Sequence, residues 1–273
     1  MESEWIRVSR EKPCPVCNKF DWCLYAVNGS AAICPRAEKG SVAYIDGSGW
    51  LHKFGDDTSP KPRLRAAPKP LPEHNSVLSQ IFDNYRGQMN KDVLESLSAD
   101  LGITAKSLDR MQVGFSNTNH AYAFPMLRSG NRFLGIRFRS QNGSKFAAKG
   151  SKQGLFVPSS FTLSRGVIVC EGPTDTAAML DIDFNAIGRA SCNSGDRLIK
   201  ELVKNNPVAI LADADDAGRI GAKRLAAKFP RSVIIEPDGC KDAREWVASG
   251  VTRDRVLQKI SEARNVKKNY LRR

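Results

Sequence analysis

Three short acidic segments each follow an apolar run, an arrangement in which carboxylates can gather around a divalent cation. Val167-Ile168-Val169-Cys170 leads into Glu171-Gly172-Pro173-Thr174-Asp175. Val208-Ala209-Ile210-Leu211 leads through Ala212 into Asp213-Ala214-Asp215-Asp216-Ala217-Gly218. Ser232-Val233-Ile234-Ile235 leads through Glu236-Pro237 to Gly239-Cys240-Lys241-Asp242. Carboxylates crowded together raise one another's pKa unless a cation neutralises them. Hard oxygen donors of this kind suit Mg2+ or Mn2+, and such a site does phosphoryl chemistry by aligning the attacking and leaving oxygens. In an extended segment Asp213 and Asp215 point the same way. Asp216 points elsewhere, into solvent or as a charge in the first turn of a helix. One such acid alone is more simply a helix cap; three acidic segments on three strand ends point to one site.

A second set of donors lies near the N-terminus. Cys14-Pro15-Val16-Cys17, Cys23 and Cys34 fall within a 21-residue window. A CxxC knuckle presents two thiolates to a tetrahedral Zn2+, and Cys34 returns to it from the end of a hairpin. The fourth ligand is Cys23 or His52, with Cys23 otherwise a small buried hydrophobe on its strand. Cys170, Cys192 and Cys240 are scattered and read as packing residues. Trp22, Tyr25, Tyr44 and Trp50 interleave with Arg7, Arg10, Lys12, Lys19 and Arg36. Aromatics among cations can stack on unpaired bases, or they form the core of so small a module.

The elements that must position these groups follow from the apolar pattern. From Gly166 onward it predicts strand 167–170, helix 174–181, strand 184–188, helix 196–204, strand 208–211, helix 217–228, strand 232–236 and helix 242–249. Strands alternating with helices at this spacing make a parallel α/β sheet. In an open parallel sheet the strand C-termini share one edge, and ligands bind there, so the three acidic segments converge by topology. Residues 76–110 read as helical, and a strand-rich stretch follows to about Val157. Residues 1–57 are turn-rich, with strand-like pieces at 22–27, 31–33 and 42–45 and a hairpin signal at Asn28-Gly29. Residues 58–73 carry five prolines and a single acid, the composition of a stiff basic linker. The expected organisation is therefore a metal-binding β module (1–57), a linker (58–75), a basic α+β subdomain (76–165), the α/β sheet (166–250) and a basic C-terminal helix or tail (251–273).

The 273 residues carry 42 Lys+Arg against 29 Asp+Glu, a net charge of +13. By segment the net charge is +7 over 76–165, −2 over 166–240 and +6 over 241–273. The acid-rich sheet thus sits between two cationic stretches, as expected of a metal site that handles a polyanion. The C-terminal Arg264, Lys267, Lys268, Arg272 and Arg273 add to this charge. No apolar run approaches the roughly 18–20 residues that cross a bilayer, and the N-terminus has no secretory pattern. Neither export nor a membrane partner is expected.

The basic subdomain contains a hairpin whose register the side chains decide. A three-residue loop Gln141-Asn142-Gly143 puts Arg139 opposite Lys145 and Phe138 opposite Phe146. A two-residue loop would mix charged and apolar groups on both faces, so the three-residue loop is expected. Like charges placed opposite each other are unfavourable unless an anion joins them. Arg137, Arg139, Lys145 and Lys149 are accordingly expected to hold nucleotide phosphates or a template backbone, the alternative being a solvated edge strand.

Taken together, Glu171-Gly172-Pro173-Thr174-Asp175, Asp213-Ala214-Asp215 with Ala217-Gly218, and Gly239 with Lys241-Asp242 resemble the TOPRIM domain. Bacterial-type primases, type IA and type II topoisomerases, a nuclease group and recombination mediators share that domain. Phe124-Pro125-Met126-Leu127, Leu134-Gly135-Ile136-Arg137-Phe138-Arg139 and Gly154-Leu155-Phe156 resemble the region before TOPRIM in primase cores, and the N-terminal zinc ribbon completes the same order. The resemblance to bacterial and phage-type DNA primases implies Glu171 as acid/base or metal ligand. It also implies Asp213, Asp215 and Asp242 around Mg2+, and Lys241 among the nucleotide-binding side chains. It implies RNA primer synthesis from nucleoside triphosphates on a single-stranded DNA template, in a bacterial cytoplasm or a phage-infected or plasmid-bearing cell. Asp216 departs from the basic residue common at that place in larger primases. No Walker A spacing is present, so a replicative helicase is expected in trans. Two rival readings remain, a noncatalytic zinc and TOPRIM DNA-binding scaffold and a metal-dependent nuclease.

Overall fold

The computed structural model describes residues 4–54, 70–163 and 166–271. The chain divides into two compact units, 1–69 and 70–273. Residues 58–69 of the expected linker lie outside the described residues, whereas 70–75 belong to the second unit. There Leu71 packs on the core, Pro72 accepts a hydrogen bond from Arg128 and Asn75 N–H donates to Phe133. The linker therefore ends before residue 70, because these backbone and side-chain groups find partners on the sheet.

The first unit is a five-stranded antiparallel sheet in the order β1-β2-β3-β5-β4. Its strands are β1 (Trp5–Arg7), β2 (Leu24–Ala26), β3 (Ala31–Cys34), β4 (Ala43–Ile45) and β5 (Gly49–Lys53). The β2–β3 turn is made at Asn28-Gly29: Gly29 has φ +74°, and the Asn28 side chain accepts from Ser30 N–H. The strand expected from Trp22 begins instead at Leu24. Trp22 sits at φ +63° with its ring 70% exposed, so it is no part of the core, while Trp50 packs edge-on against Tyr44 at 4.8 Å.

The second unit opens with three capped helices, α1 (Ser76–Gln88), α2 (Lys91–Leu101) and α3 (Ala105–Arg110). Asn75, Asn90 and Thr104 accept from the first-turn N–H groups of these helices, which satisfies donors a helix leaves unpaired. Strands β6 (Gly114–Ser116), β7 (Ala121–Arg128), β8 (Arg132–Ser140), β9 (Lys145–Ala147) and β10 (Leu155–Phe156) follow. After them come β11 (Val167–Glu171), α4 (Pro173–Asp181), β12 (Ala186–Arg189), α5 (Asp196–Val203), β13 (Val208–Leu211), α6 (Asp216–Lys228), β14 (Val233–Ile235), α7 (Ala243–Ala248) and α8 (Arg253–Leu271).

A single mixed sheet joins both halves of this unit, in the order β14-β13-β11-β12-β10-β7-β8-β9 with β6 on β7. β14, β13, β11 and β12 are parallel neighbours; β10, β7, β8 and β9 continue the sheet antiparallel. Apolar residues of α2, α3, α4, α7 and α8 cover one face, and those of α1, α5 and α6 cover the other. The parallel strands read as continuous apolar runs because both their faces are buried. From β11 the chain winds first to β12 and then back across to β13, so the winding reverses between β11 and β13. Ligand crevices form outside the strand C-termini at such a reversal.

The expected basic tail is the long helix α8, anchored by Val256 and Ile260 and by Lys267, which donates to Pro230 and Ser232 carbonyls. Among the described residues no helix is long and apolar enough to cross a membrane.

Candidate functional site

A pocket of about 170 Å³ lies at the C-terminal edge of β11, next to the winding reversal. Glu171 and Asp213 meet Arg137, Arg139 and Lys145 around it. The carboxylates arrive from strand ends and the cations from the hairpin. In that hairpin Arg139 stands opposite Lys145 and Phe138 opposite Phe146; Ser140 N–H donates to Ser144 across the Gln141-Asn142-Gly143 loop. Phe138 turns to the α1 face, where it meets Tyr85 and Phe146, and this leaves the three cations on the pocket face.

Two glycines place the acids. Gly172 has φ +112°, a conformation that strains any other residue, and it turns the chain from β11 directly into α4. At Gly218 a Cβ would lie 2.5 Å from the Asp213 carbonyl oxygen, so glycine lets α6 close onto the Asp213 backbone.

The other acids divide. Asp215 is exposed and caps α6, accepting from Gly218 N–H at 2.7 Å. Asp242 caps α7, accepting from Glu245 N–H at 2.8 Å. Asp215 is thus the cap of α6 through Oδ1 and also a neighbour of Asp213 and Glu171, whose pKa values its charge raises. Neither Asp215 nor Asp242 lines the pocket, although both raise the pKa of Asp213. Asp216 is solvated in the first turn of α6. Lys149 and Lys241 are exposed and also lie off the pocket lining; the Lys241 carbonyl accepts from Ala214 N–H at 2.7 Å.

Two groups that the sequence reading did not assign to the site belong to its surroundings. Arg189, at the end of β12 and 1% exposed, donates to Glu171 Oε1 at 2.8 Å. Its other amino group donates to Cys192 O at 2.7 Å. The expected strand 184–188 left Arg189 in a loop, whereas β12 starts two residues later, ends one residue later and pairs Arg189 with Glu171 in the ladder. Asp175 is buried in α4 and accepts from Arg244 N–H.

The acids raise one another's pKa despite the cations around them. Asp213 is pushed up to about 8 by burial first, then by Asp175, Glu171, Asp242 and Asp215. Asp175 is pushed up to about 6 by burial and Asp242. Burial also raises Glu171, with Arg189 opposing it. On the other wall burial lowers both Arg137 and Arg139. This donor set fits a hard divalent cation, which binds through one or two carboxylates and retains several waters.

Arg189→Met should expose how much the ion pair carries. It leaves Glu171, 13% exposed, without its partner, which costs about 3–5 kcal/mol and lowers Tm by roughly 10 °C for a unit of this size. Adding Glu171→Gln should recover most of that loss. Equal Tm for Arg189→Met and wild type would show that the pair is not structural.

In the first unit the sulfurs of Cys14, Cys17, Cys23 and Cys34 all lie within 4.8 Å of one another. Bonds of about 2.3 Å to a tetrahedral zinc require S···S edges of about 3.8 Å, and Cys17–Cys23 and Cys23–Cys34 measure 3.6 and 3.8 Å. His52 is not among the donors that converge there; its Nε2 is hydrogen-bonded with Ala37 O at 2.9 Å. The four cysteines could hold zinc, with Cys23 as the fourth sulfur of the cluster. Among the described residues this is the one set of three or more such donors to converge so closely; the acids at the sheet edge are more widely spaced.

Residues 168–247 match the family described as Toprim-like. No curated protein matches the chain by sequence. Among solved structures, the E. coli primase catalytic core is similar with TM-score 0.53 and 13% identity, over 68% of this chain and 79% of that one. A DnaG primase catalytic domain bound to ssDNA gives 0.53 and 13%, over 68% and 77%. The zinc-binding and RNA polymerase domains of Aquifex aeolicus primase give 0.53 and 16%, over 68% and 60%. The chain therefore carries a Toprim-like domain within the fold of bacterial-type primase catalytic cores.

Proposed function

We propose that the protein is a DNA primase, a nucleotidyltransferase that makes short RNA primers on single-stranded DNA from nucleoside triphosphates during replication. The observation that carries this reading is the single pocket in which Arg137, Arg139 and Lys145 face Glu171 and Asp213. Cations beside carboxylates suit a triphosphate and its metal. Arg137, Arg139 and Lys145 hold the phosphates and the template backbone, with Lys149 and Lys241 as outlying contacts. Asp213 and Glu171, with Asp215 and Asp242 at the rim, provide the donors for Mg2+ or Mn2+. Such an ion would polarise the α-phosphate, favour ionisation of the attacking 3′-hydroxyl and neutralise the pyrophosphate that leaves as the α–β phosphate bond breaks. Glu171 is anchored through Oε1 by Arg189, which leaves Oε2 to accept the hydroxyl proton. Fixing both reactants in one small pocket supplies much of the remaining rate. The first unit, with zinc on its four cysteines, reads the template, and a replicative helicase acts in trans in the cytoplasm.

The test is incubation of the full chain with mixed-sequence single-stranded DNA, labelled nucleotides and Mg2+. New short oligonucleotides that require template and metal are the expected result. Degradation of the labelled strand would make the protein a nuclease, and binding without synthesis would make it a scaffold; either overturns the proposal.

A further inference from the structure

At the opposite end of the parallel strands lies a cavity of about 370 Å³ that the catalytic reading does not use. Val208, which begins β13, lines it, whereas Asp213 lies beyond the other end of that strand. Five residues at ~3.3 Å each put the two places about 17 Å apart. Lys200 and Lys204 from the end of α5, Lys228 from the end of α6, and Arg231 before β14 surround this cavity, with Asn205 and Asn206 between them. Lys267 adds a fifth cation by donating to Pro230 and Ser232, whose residues line the wall. Lys228 is held by Asp196; Lys200, Lys204 and Arg231 have no acidic partner among the described residues. The carbonyl ends of α5 and α6 together offset about one unit of charge. One carboxylate and that unit leave most of the positive charge unbalanced.

The backbone adds a second observation. Lys204 has φ +51° and ψ −115°, and Asn206 N–H closes the turn onto Val203 O at 3.0 Å. These are the angles of the first central residue of a type II′ turn, a place that glycine normally fills. A lysine there is strained, and such strain persists where a side chain is needed. Lys204 also lines a neighbouring cavity of about 550 Å³, which extends the depression toward Arg128 and Gly130.

We propose that this basic depression holds the phosphate backbone of a DNA strand outside the catalytic pocket, with Lys200, Lys204 and Arg231 as its principal contacts. The inference rests on the reading that the protein handles DNA, but not on its joining nucleotides. The test is fluorescence anisotropy of a labelled oligodeoxythymidine with the full chain, across a salt series. Lys200→Gln/Lys204→Gln/Arg231→Gln should weaken binding roughly tenfold at low salt. It should also flatten the dependence of log affinity on log salt by about two, at ~0.7 per lost single-strand contact. The control Lys91→Gln/Lys106→Gln/Lys223→Gln removes the same charge from exposed positions elsewhere and should keep the slope near that of wild type. Lys204→Gly should raise Tm while weakening DNA binding, a combination that a merely structural lysine does not produce. An unchanged slope in the first triple variant, or equal losses in both triple variants, would overturn the proposal. Pyrophosphate that protects wild type but not the triple variant against unfolding, with DNA affinity unaffected, would assign the cavity to free phosphates and also overturn it. Absence of primer synthesis with the slope change intact would remove the polymerase reading and leave this one standing.

Discussion

Asp213→Asn should reduce primer synthesis about a thousandfold while leaving the metal-free protein at least as stable as wild type. The two effects have one origin. Asp213 lies half-buried among four other carboxyl groups, and its pKa is pushed up to about 8, first by burial and then by those neighbours. Without a cation the folded protein therefore keeps a proton on Asp213 that the unfolded chain loses near its ordinary 3.8. A group whose folded pKa is raised binds more protons folded than unfolded, so stability falls as pH rises between those values. Metal-free wild type should thus weaken from pH 4 to pH 8, with Asp175, pushed up to about 6, contributing in the same direction over the lower part. An amide removes the Asp213 contribution, so the variant should show a shallower decline and a higher Tm at pH 8. The same amide cannot balance a divalent cation. Losing about 4 kcal/mol of transition-state stabilisation corresponds to about a thousandfold in rate. Added Mg2+ should raise the Tm of wild type at pH 8 more than that of the variant. A variant that still synthesises primers at the wild-type rate would remove Asp213 from the metal site.

The same competition between charges and caps explains what the sequence disclosed. The β/α succession from Val167 to Ala248 was legible because its strands are unbroken apolar runs and each helix starts behind an acid or a glycine. The β8–β9 register was legible because only one pairing keeps Phe138 and Phe146 on the apolar face. Asp215 was harder, since an aspartate before a helix satisfies a cap and a metal equally well on paper. The Gly218 N–H, three residues on, takes Oδ1 for the cap, and one carboxylate can serve both roles through its two oxygens. Arg189 left almost no trace: an arginine after Ala186-Ile187-Gly188 reads as a loop cation unless the strand is known to extend to it. Its signal was its position on the same sheet edge as the acids. Strands β1 and β5 escaped because neither Trp5–Arg7 nor Gly49–Lys53 alternates cleanly, and their burial depends on partners distant in sequence.

Removing zinc should unfold the first unit and spare the second. The buried cluster of the first unit consists of Val8, Cys14, Cys23, Tyr25, Ala32 and Cys34, so three of its six members are cysteines. Burial raises the thiols of Cys23 and Cys34, so these two disfavour the thiolate until a cation compensates them. At Cys17 burial is outweighed by hydrogen bonds with Lys19 and the other cysteines, and the thiol is lowered to about 7. A sheet with so few other apolar contacts has little to offset its conformational entropy. Metal binding, at about 10–16 kcal/mol for structural zinc sites, then supplies the folding free energy. The second unit has its own two-sided core and no such dependence. One zinc per chain should be found by metal analysis of the full protein. A strong chelator, or Cys34→Ala, should expose the 4–54 region to protease while residues 70–271 stay resistant and keep their Tm. Cys240→Ser, at a half-buried cysteine outside the cluster, should do neither. A chelated protein whose first unit stays protease-resistant would mean that the four thiols are a core and not a metal centre. That outcome would also require the unit to fold on Val8, Tyr25, Ala26, Ala31, Ala32 and Ile33, a small apolar core for a chain segment of this length.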